Sequence, residues 1–222
     1  MKLDEIGNKE KFKICKMSKL YLLEDGNILK LFKNPRDLYD LERYKYFMNY
    51  QNDSFIFPFE FIYDSKKFYG YKTKRVYADT LESIFANSDL LKLSTNSFKL
   101  EKNIDFVSTG GISLYDFHSE NVLYDGNSYS VIDHDENGIS NNLEDTKKRN
   151  QHAHRVLIGT LFLEKLKEFD FKHTKLIRKN IDKYIYSTMK PSEMIVSIKE
   201  QLDKKYKEDI KELEDIKNIV RR

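Results

Sequence analysis

The chain has 222 residues, enough for one domain of ordinary size or for two small units. Its 39 basic and 36 acidic side chains nearly balance, giving a net charge of +3, and no dense basic segment is interleaved with aromatic residues. This balance argues against a nucleic-acid partner. Hydrophobic residues make up 40% of the chain, so a sizeable core is expected rather than a disordered chain.

The cysteine count and the apolar segments indicate where the protein resides. Cys15 is the only cysteine, so an intramolecular disulfide and a cysteine-based zinc site are both excluded. The first residues are polar and lack the apolar core of a signal peptide. The longest apolar run, Val156–Leu163, is too short to span a membrane. The sequence therefore predicts a cytoplasmic protein without membrane contact.

Residues 12–33 alternate between apolar and polar side chains, and a turn signal lies at Glu24–Asn27. We predict three antiparallel strands here, with Lys30 on the third strand between two leucines. Such a lysine is often only the solvent-facing member of an alternating pattern. The functional alternative is that Lys30 contacts phosphate.

A helix is predicted from Asn34–Asp37 to about Tyr50, since a proline and an aspartate lie at its start. Glu42 lies within this helix and is either solvated or paired with Lys30. A second hairpin, Pro58–Tyr63 with Phe68–Val76, completes a five-stranded sheet with one helix inserted after the third strand. The composition changes at about residue 76, where we place the boundary between a first unit, residues 1–76, and a second, residues 77–222.

The second unit is predicted to be mainly helical. Helices are expected at Ala78–Ala86 and Ser97–Val107, and a buried helix at about residues 152–167. Apolar residues at spacings of three and four predict an amphipathic C-terminal helix over about residues 191–221, with one break. This helix either packs on its own unit, which we favour, or forms a dimer seam.

The segment Gly111–Asp135 concentrates the polar residues of chemical interest. Asp116 and Asn121 lie five positions apart in a predicted loop, and a short strand, a turn at Asp125–Asn127 and a second strand follow. Asp133 stands at the end of that second strand. Two carboxylates and one amide at the mouth of a hairpin suit a divalent metal ion and a phosphate group.

The order of these features resembles the protein-kinase-like fold over about residues 12–166, with a strand lysine, a helix glutamate, a D-x-x-x-x-N loop and an aspartate after a hairpin. The resemblance implies an α+β, bilobal architecture with a reduced, mainly helical second lobe. It also implies transfer of the γ-phosphoryl group of ATP to an acceptor hydroxyl, with ATP and Mg²⁺ as cofactors. The favoured acceptor is a protein serine or threonine.

The resemblance also implies roles for individual residues. Asp116 would accept the hydroxyl proton, while Asn121 and Asp133 would bind the metal ion. Lys30 would hold phosphate and also count among the catalytic groups. The residues implied to bind the nucleotide are Lys30, Glu42, Val76, Leu123 and Ile132.

Several positions depart from the protein-kinase pattern. Leu114 and Tyr115 precede Asp116 where the kinases carry His-Arg, and His134 follows Asp133 where they carry Phe. Residues 14–19, between the first two strands, contain no glycine. His118 gives the loop the D-x-H-x-x-N form of aminoglycoside and choline kinases, so a small-molecule kinase is one alternative. A pseudokinase that binds without turnover is another, and nucleotidyl transfer stays open.

Overall fold

The computed structural model describes residues 9–221 and divides the chain into two compact units, the first ending at Tyr77 and the second beginning at Ala78. The first unit is an antiparallel sheet with one helix. Its elements are β1 (Lys9–Ile14), β2 (Ser18–Leu23), β3 (Ile28–Arg36), α1 (Leu38–Met48), β4 (Glu60–Tyr63) and β5 (Phe68–Thr73).

The five strands pair in the order β1-β2-β3-β5-β4, with α1 inserted after β3. The predicted α+β class and the five-stranded antiparallel sheet are therefore confirmed. An aromatic core lies between the sheet and α1, where Tyr44 of the helix packs against Phe68 at 5.5 Å and Tyr71 at 5.1 Å between ring centroids. Alternation of apolar and polar residues, the signal in the sequence, positions these side chains on one face of the sheet.

Helix α1 begins later than predicted. Asn34, Pro35 and Arg36 extend β3, and Asp37 caps the helix by accepting a hydrogen bond from the amide of Asp40 at 3.1 Å. A capping aspartate in extended conformation satisfies one of the amides that the first turn leaves unpaired. The prediction therefore identified the helix but placed its start among residues that belong to the preceding strand.

The second unit contains the remaining helices and three short antiparallel pairings. Its helices are α2 (Leu81–Ile84), α3 (Leu90–Thr109), α4 (Leu143–Asp170), α5 (Lys175–Ile185), α6 (Pro191–Tyr206) and α7 (Glu214–Val220). Its strands are β6 (Asp79–Thr80), β7 (Ile112–Ser113), β8 (Val122–Tyr124), β9 (Tyr129–Val131) and β10 (Gly138–Ile139). β8 pairs with β6 and β9, and β7 pairs with β10.

The predicted helix bounds of this unit were too narrow for α3 and α4 and too wide for α2. Asp89 and Asn142 cap α3 and α4 well before the predicted starts, accepting from the amides of Lys92 at 2.8 Å and Asp145 at 3.2 Å. The first turn of α4 is mostly exposed and polar, so apolar periodicity did not reveal it. Helix α3 begins with Leu90 and Leu91, and its start was missed although it is apolar. Residues 85–87 form a 3₁₀ turn rather than the end of an α-helix.

The C-terminal amphipathic segment is broken as expected, between α6 and α7, where Lys207 adopts a left-handed conformation with φ +56°. Most of its apolar side chains are completely buried and pack within the second unit, mainly on α3, α4 and α5, whereas Val220 is exposed. The fully buried members are Met194, Ile195, Ile198, Leu202, Ile210, Leu213 and Ile216. This packing agrees with the favoured of the two interpretations of the helix.

Across residues 9–221, no helix is both long enough and apolar enough to cross a membrane.

Candidate functional site

The loop between β7 and β8 brings Asp116 and Asn121 into direct contact. The side-chain amide of Asn121 donates to Oδ2 of Asp116 at 2.9 Å and to the backbone carbonyl of Asp116 at 3.1 Å. Both amide hydrogens are thereby used within the loop. Since an amide group is planar, these two bonds fix the direction of the Oδ1 atom of Asn121. In the described chain, no hydrogen bond reaches that Oδ1, so it is available to a ligand.

His118 completes a small network around Asp116. Its Nδ1 accepts from the amide of Glu120 at 3.3 Å, so its Nε2 carries the proton and donates to Oδ1 of Asp116 at 3.1 Å. Nε2 also lies 3.1 Å from the amide nitrogen of Asn121, a contact between two donors in this assignment. Both oxygens of the Asp116 carboxylate therefore accept a hydrogen bond.

The β8–β9 hairpin brings Asp133 back towards this network. The amide of Ile132 donates to the carbonyl of Asn121 at 2.9 Å, which places residue 133 next to the end of the loop. Asp133 has a φ of +57°, one of only two non-glycine residues with a positive φ in the described chain. Aspartate and asparagine tolerate this conformation better than most residues, and such strained positions cluster at functional sites.

Asn150, a completely buried residue of α4, anchors the loop through hydrogen bonds. Its Oδ1 accepts from the amide of Leu114 at 2.9 Å, and its Nδ2 donates to the carbonyl of Ile112 at 2.7 Å and to the hydroxyl of Ser108 at 2.9 Å. Asn150 was not predicted as a site residue. In the sequence it is one asparagine ahead of the apolar run that includes Leu157, and nothing there indicates which loop it contacts.

Phe117 supports the same loop through an aromatic contact. Its ring packs edge-on against the imidazole of His154, with 5.9 Å between centroids. His154 is completely buried and shares a hydrogen bond of 3.2 Å with the hydroxyl of Ser97. Burial, reinforced by the positive charge of Arg155, lowers the pKa of His154 from 6.5 to about 3. The imidazole is therefore neutral at ordinary pH and acts as packing.

The other predicted site residues are distributed over both units. In the second unit, Leu123 is buried on β8 and Ile132 is half-buried just after β9. In the first unit, Lys30 is buried on β3 with only 6% of its surface exposed, so it is not the solvent-facing lysine of an alternating strand. Val76 is half-buried near the end of that unit.

Glu42 does not pair with Lys30. Its side chain is 68% exposed and forms its ion pair with Lys45 at 2.7 Å. The reason is helical geometry, because Leu41, Tyr44 and Phe47 occupy the buried face of α1 and direct position 42 towards solvent. The expected pairing of these two residues was therefore wrong, and Glu42 is a solvated helix glutamate, which was the other alternative.

The donor set at the loop suits a hard divalent cation that retains other ligands. Between residues 9 and 221, no three His, Cys, Asp or Glu side chains gather into a group that could hold a metal ion. Mg²⁺ is usually bound by one or two carboxylates together with water and substrate phosphates. One carboxylate and one amide oxygen, from Asp133 and Asn121, fit that requirement only if a ligand supplies further oxygens.

Comparison with known proteins corrects the predicted family. The sequence model of the family described as Mac 1 matches residues 13–152, which is more than half of the chain. No curated protein matches the chain. Because the matching family is not a kinase family, the resemblance to protein kinases is overturned. The predicted serine/threonine kinase activity, its small-molecule and pseudokinase alternatives and the kinase class of enzyme are overturned with it.

Proposed function

The chain belongs to the Mac 1 family, and we propose that its second unit binds a diphosphate-bearing ligand together with Mg²⁺. Asn121 and Asp133 would hold the metal ion, and the diphosphate oxygens would complete its coordination. ATP, the cofactor expected from the sequence, falls within this ligand class as one nucleotide among several. Phosphoryl transfer is not part of the proposal.

One observation supports this proposal above the others. The amide nitrogen of Asn121 is occupied by two hydrogen bonds to Asp116, and this leaves its oxygen as the available coordinating atom. A carboxamide held in this way is preorganised, so little side-chain entropy is lost when it binds a metal ion. Groups that orient a metal ligand in this manner typically change metal affinity by about 10- to 100-fold when they are removed.

Titration calorimetry of the whole chain tests the proposal. ADP, ATP and ADP-ribose would each be titrated with and without Mg²⁺, and Mg²⁺ would be titrated alone. We expect saturable binding that requires both metal ion and diphosphate, and weak binding of Mg²⁺ alone. A ligand that binds equally well without Mg²⁺, or the absence of binding by all three, would contradict the proposal.

Asp133→Asn is the sharpest variant, because asparagine tolerates the positive φ at this position and only the charge is lost. We expect at least about a tenfold weaker Mg²⁺-dependent affinity. Glu136→Gln is the matched control, since it removes one negative charge from an exposed position three residues away. Equal effects of the two substitutions would show that only the overall charge matters.

Lys30 and Val76, the predicted nucleotide contacts of the first unit, remain predictions, as does the bilobal arrangement. Lys30→Met tests the predicted role of Lys30, because a buried lysine replaced by methionine keeps most of its apolar stem. Unchanged ADP affinity in that variant would contradict that role. Cytoplasmic localisation and a dimer through the C-terminal helix also remain predictions.

A further inference from the structure

A cavity of about 300 Å³ lies in the second unit and is lined by residues of α3, α4, the segment after α5 and the start of α6. This volume lies at the lower end of the range for small-molecule sites. Asp116, Asn121 and Asp133 do not line the cavity. It therefore requires its own explanation.

Three cationic side chains line this cavity without an acidic partner. Lys102 and Lys190 lie 4.4 Å and 5.7 Å from the centroid of the Phe98 ring, and Arg155 uses its Nε to donate to the carbonyl of Ile185 at 3.2 Å. In the described part of the chain, no carboxylate lies within 4.0 Å of any of the three nitrogen groups. The two terminal nitrogens of Arg155 make no hydrogen bond there either.

The acidic residues of the cavity wall are engaged elsewhere. Asp105 accepts from Lys147 at 3.0 Å and from Gln151 at 2.8 Å. Glu101 accepts from the amide of Ser192 at the start of α6 at 2.8 Å, and its other oxygen is buried. Burial raises the pKa of Glu101, although the attraction of Lys190 opposes this shift. Asp105 therefore already has a cationic partner, and the three cationic side chains outnumber the one remaining carboxylate of the cavity wall.

We propose that this cavity is a binding site for a small organic anion, with its carboxylate or phosphate group on Arg155, Lys102 and Lys190. Arginine presents paired N–H donors that match the geometry of either oxyanion. Phe98 lines the same cavity and is 42% exposed, so it offers apolar surface to the body of the ligand. An aromatic or short aliphatic acid, or its phosphate-ester counterpart, satisfies both features.

Nuclear magnetic resonance titration of the labelled whole chain tests this site with four probes. Benzoate and phenyl phosphate carry both required features, benzyl alcohol lacks the charge, and inorganic phosphate lacks the apolar body. We expect saturable shifts of the amides of residues 186–192 and of the Arg155 Nε–H signal with at least one of the first two probes. We expect the last two probes to bind at least tenfold more weakly.

Thr188→Glu supplies the decisive variant, because residue 188 is exposed on the cavity wall and a carboxylate there would occupy the cationic groups. It should weaken binding of the anionic probe at least tenfold and leave Mg²⁺-dependent ADP binding unchanged. Thr95→Glu is the matched control, since it introduces the same charge at an exposed position of α3 that does not line this cavity. Arg155→Gln should also weaken binding, but this variant additionally loses the hydrogen bond to the carbonyl of Ile185, so its effect is less specific.

Three results would overturn the inference. The first is the absence of saturable shifts at the cavity with both benzoate and phenyl phosphate. The second is binding of benzyl alcohol or inorganic phosphate as tight as that of the charged aromatic probes. The third is equal loss of affinity in Thr188→Glu and Thr95→Glu, which would indicate a general charge effect.

Discussion

Asn121 connects the two ends of the candidate site loop. Its side-chain amide donates to Asp116, and its backbone carbonyl accepts from the amide of Ile132. Two functions therefore depend on one residue, namely the shape of the loop and the direction of a metal-ligand oxygen. His118 adds a second bond to the same carboxylate. The network is local, since all of its side chains lie within six consecutive positions.

Asn121→Ala should weaken Mg²⁺-dependent ADP binding by at least about tenfold, because it removes the amide oxygen and releases Oδ2 of Asp116. The change should be measured by titration calorimetry, with the fold checked by circular dichroism. Asn141→Ala, at an exposed position outside the loop, is the control. Affinity that is equal in both variants would mean that Asn121 does not bind the metal ion.

His154 should make folding sensitive to acid. Its pKa is about 3 in the folded chain and about 6.5 when exposed, so the unfolded chain binds the additional proton between these values. Stability is therefore complete above about pH 6.5 and is lost progressively as the pH falls towards 3. The contribution of this one group amounts to about 3 kcal/mol between pH 7 and pH 4.

Urea unfolding at several pH values checks this prediction with His154→Gln, which keeps a hydrogen-bonding group for Ser97 but does not titrate. The variant should lose about 3 kcal/mol less than the parent chain between pH 7 and pH 4. His152→Gln, which replaces a half-buried histidine on the same helix, is the matched substitution for comparison. Parallel curves for His154→Gln and the parent would show that the buried imidazole does not control acid stability.

Local residue patterns predicted the site loop better than its anchor. The spacing of Asp116 and Asn121 was sufficient because a contact over five positions depends little on the rest of the fold. Asn150 contacts Leu114 across 36 positions, and nothing in either local sequence specifies that pairing. The buried state of Lys30 was similarly hidden, since alternation identifies the face of a strand but not what covers that face.

At the scale of elements, the short β7–β10 pairing depends on close approach of two backbone segments at Gly111. This residue has φ +68°, and a Cβ atom added to it would lie 2.0 Å from the carbonyl oxygen of Ser140. The same backbone accepts a hydrogen bond of 2.8 Å from the amide of Ser140. A side chain at this position would therefore separate the strand that leads into the site loop from its partner.

Gly111→Ala should lower the free energy of unfolding by about 3 kcal/mol, whereas Gly126→Ala should cost only about 1 kcal/mol. Both glycines have a positive φ, but Gly126 has no atom within 4 Å of the added Cβ position. The difference between the two variants, measured by denaturant unfolding, thus isolates the steric clash. Equal costs would indicate that conformational strain alone explains both effects.

The helices and strands were predictable where apolar periodicity was strong, whereas the starts of two helices were not predicted. The five strands and the buried helix α4 were identified, and one break was expected in the C-terminal segment, without a position. The first turns of α3 and α4 were missed because Asp89 and Asn142 were not recognised as their caps. Capping residues are common in turns as well, so the sequence alone does not distinguish the two environments.

At the scale of the whole molecule, the sequence supported the fold class but misled the choice of family. The order of a strand lysine, a helix glutamate and a hairpin with two carboxylates suggested protein kinases. Glu42, which the interpretation paired with Lys30, instead forms a surface ion pair with Lys45. The match to the Mac 1 family over residues 13–152 then replaced the kinase assignment. Fold-level analogy is a weak guide to function, and the site geometry has to carry the proposal.

The most direct test of the central claim uses Mn²⁺ in place of Mg²⁺, because its unpaired electrons broaden the resonances of nearby amides. With ADP present, broadening of the whole labelled chain should centre on residues 116–123 and 131–135 and should be greatly reduced in Asp133→Asn. Without ADP it should be weak there, since the described protein groups alone supply few ligands. Broadening centred elsewhere, or the same pattern without ADP, would contradict a Mg²⁺-dependent diphosphate site at Asn121 and Asp133.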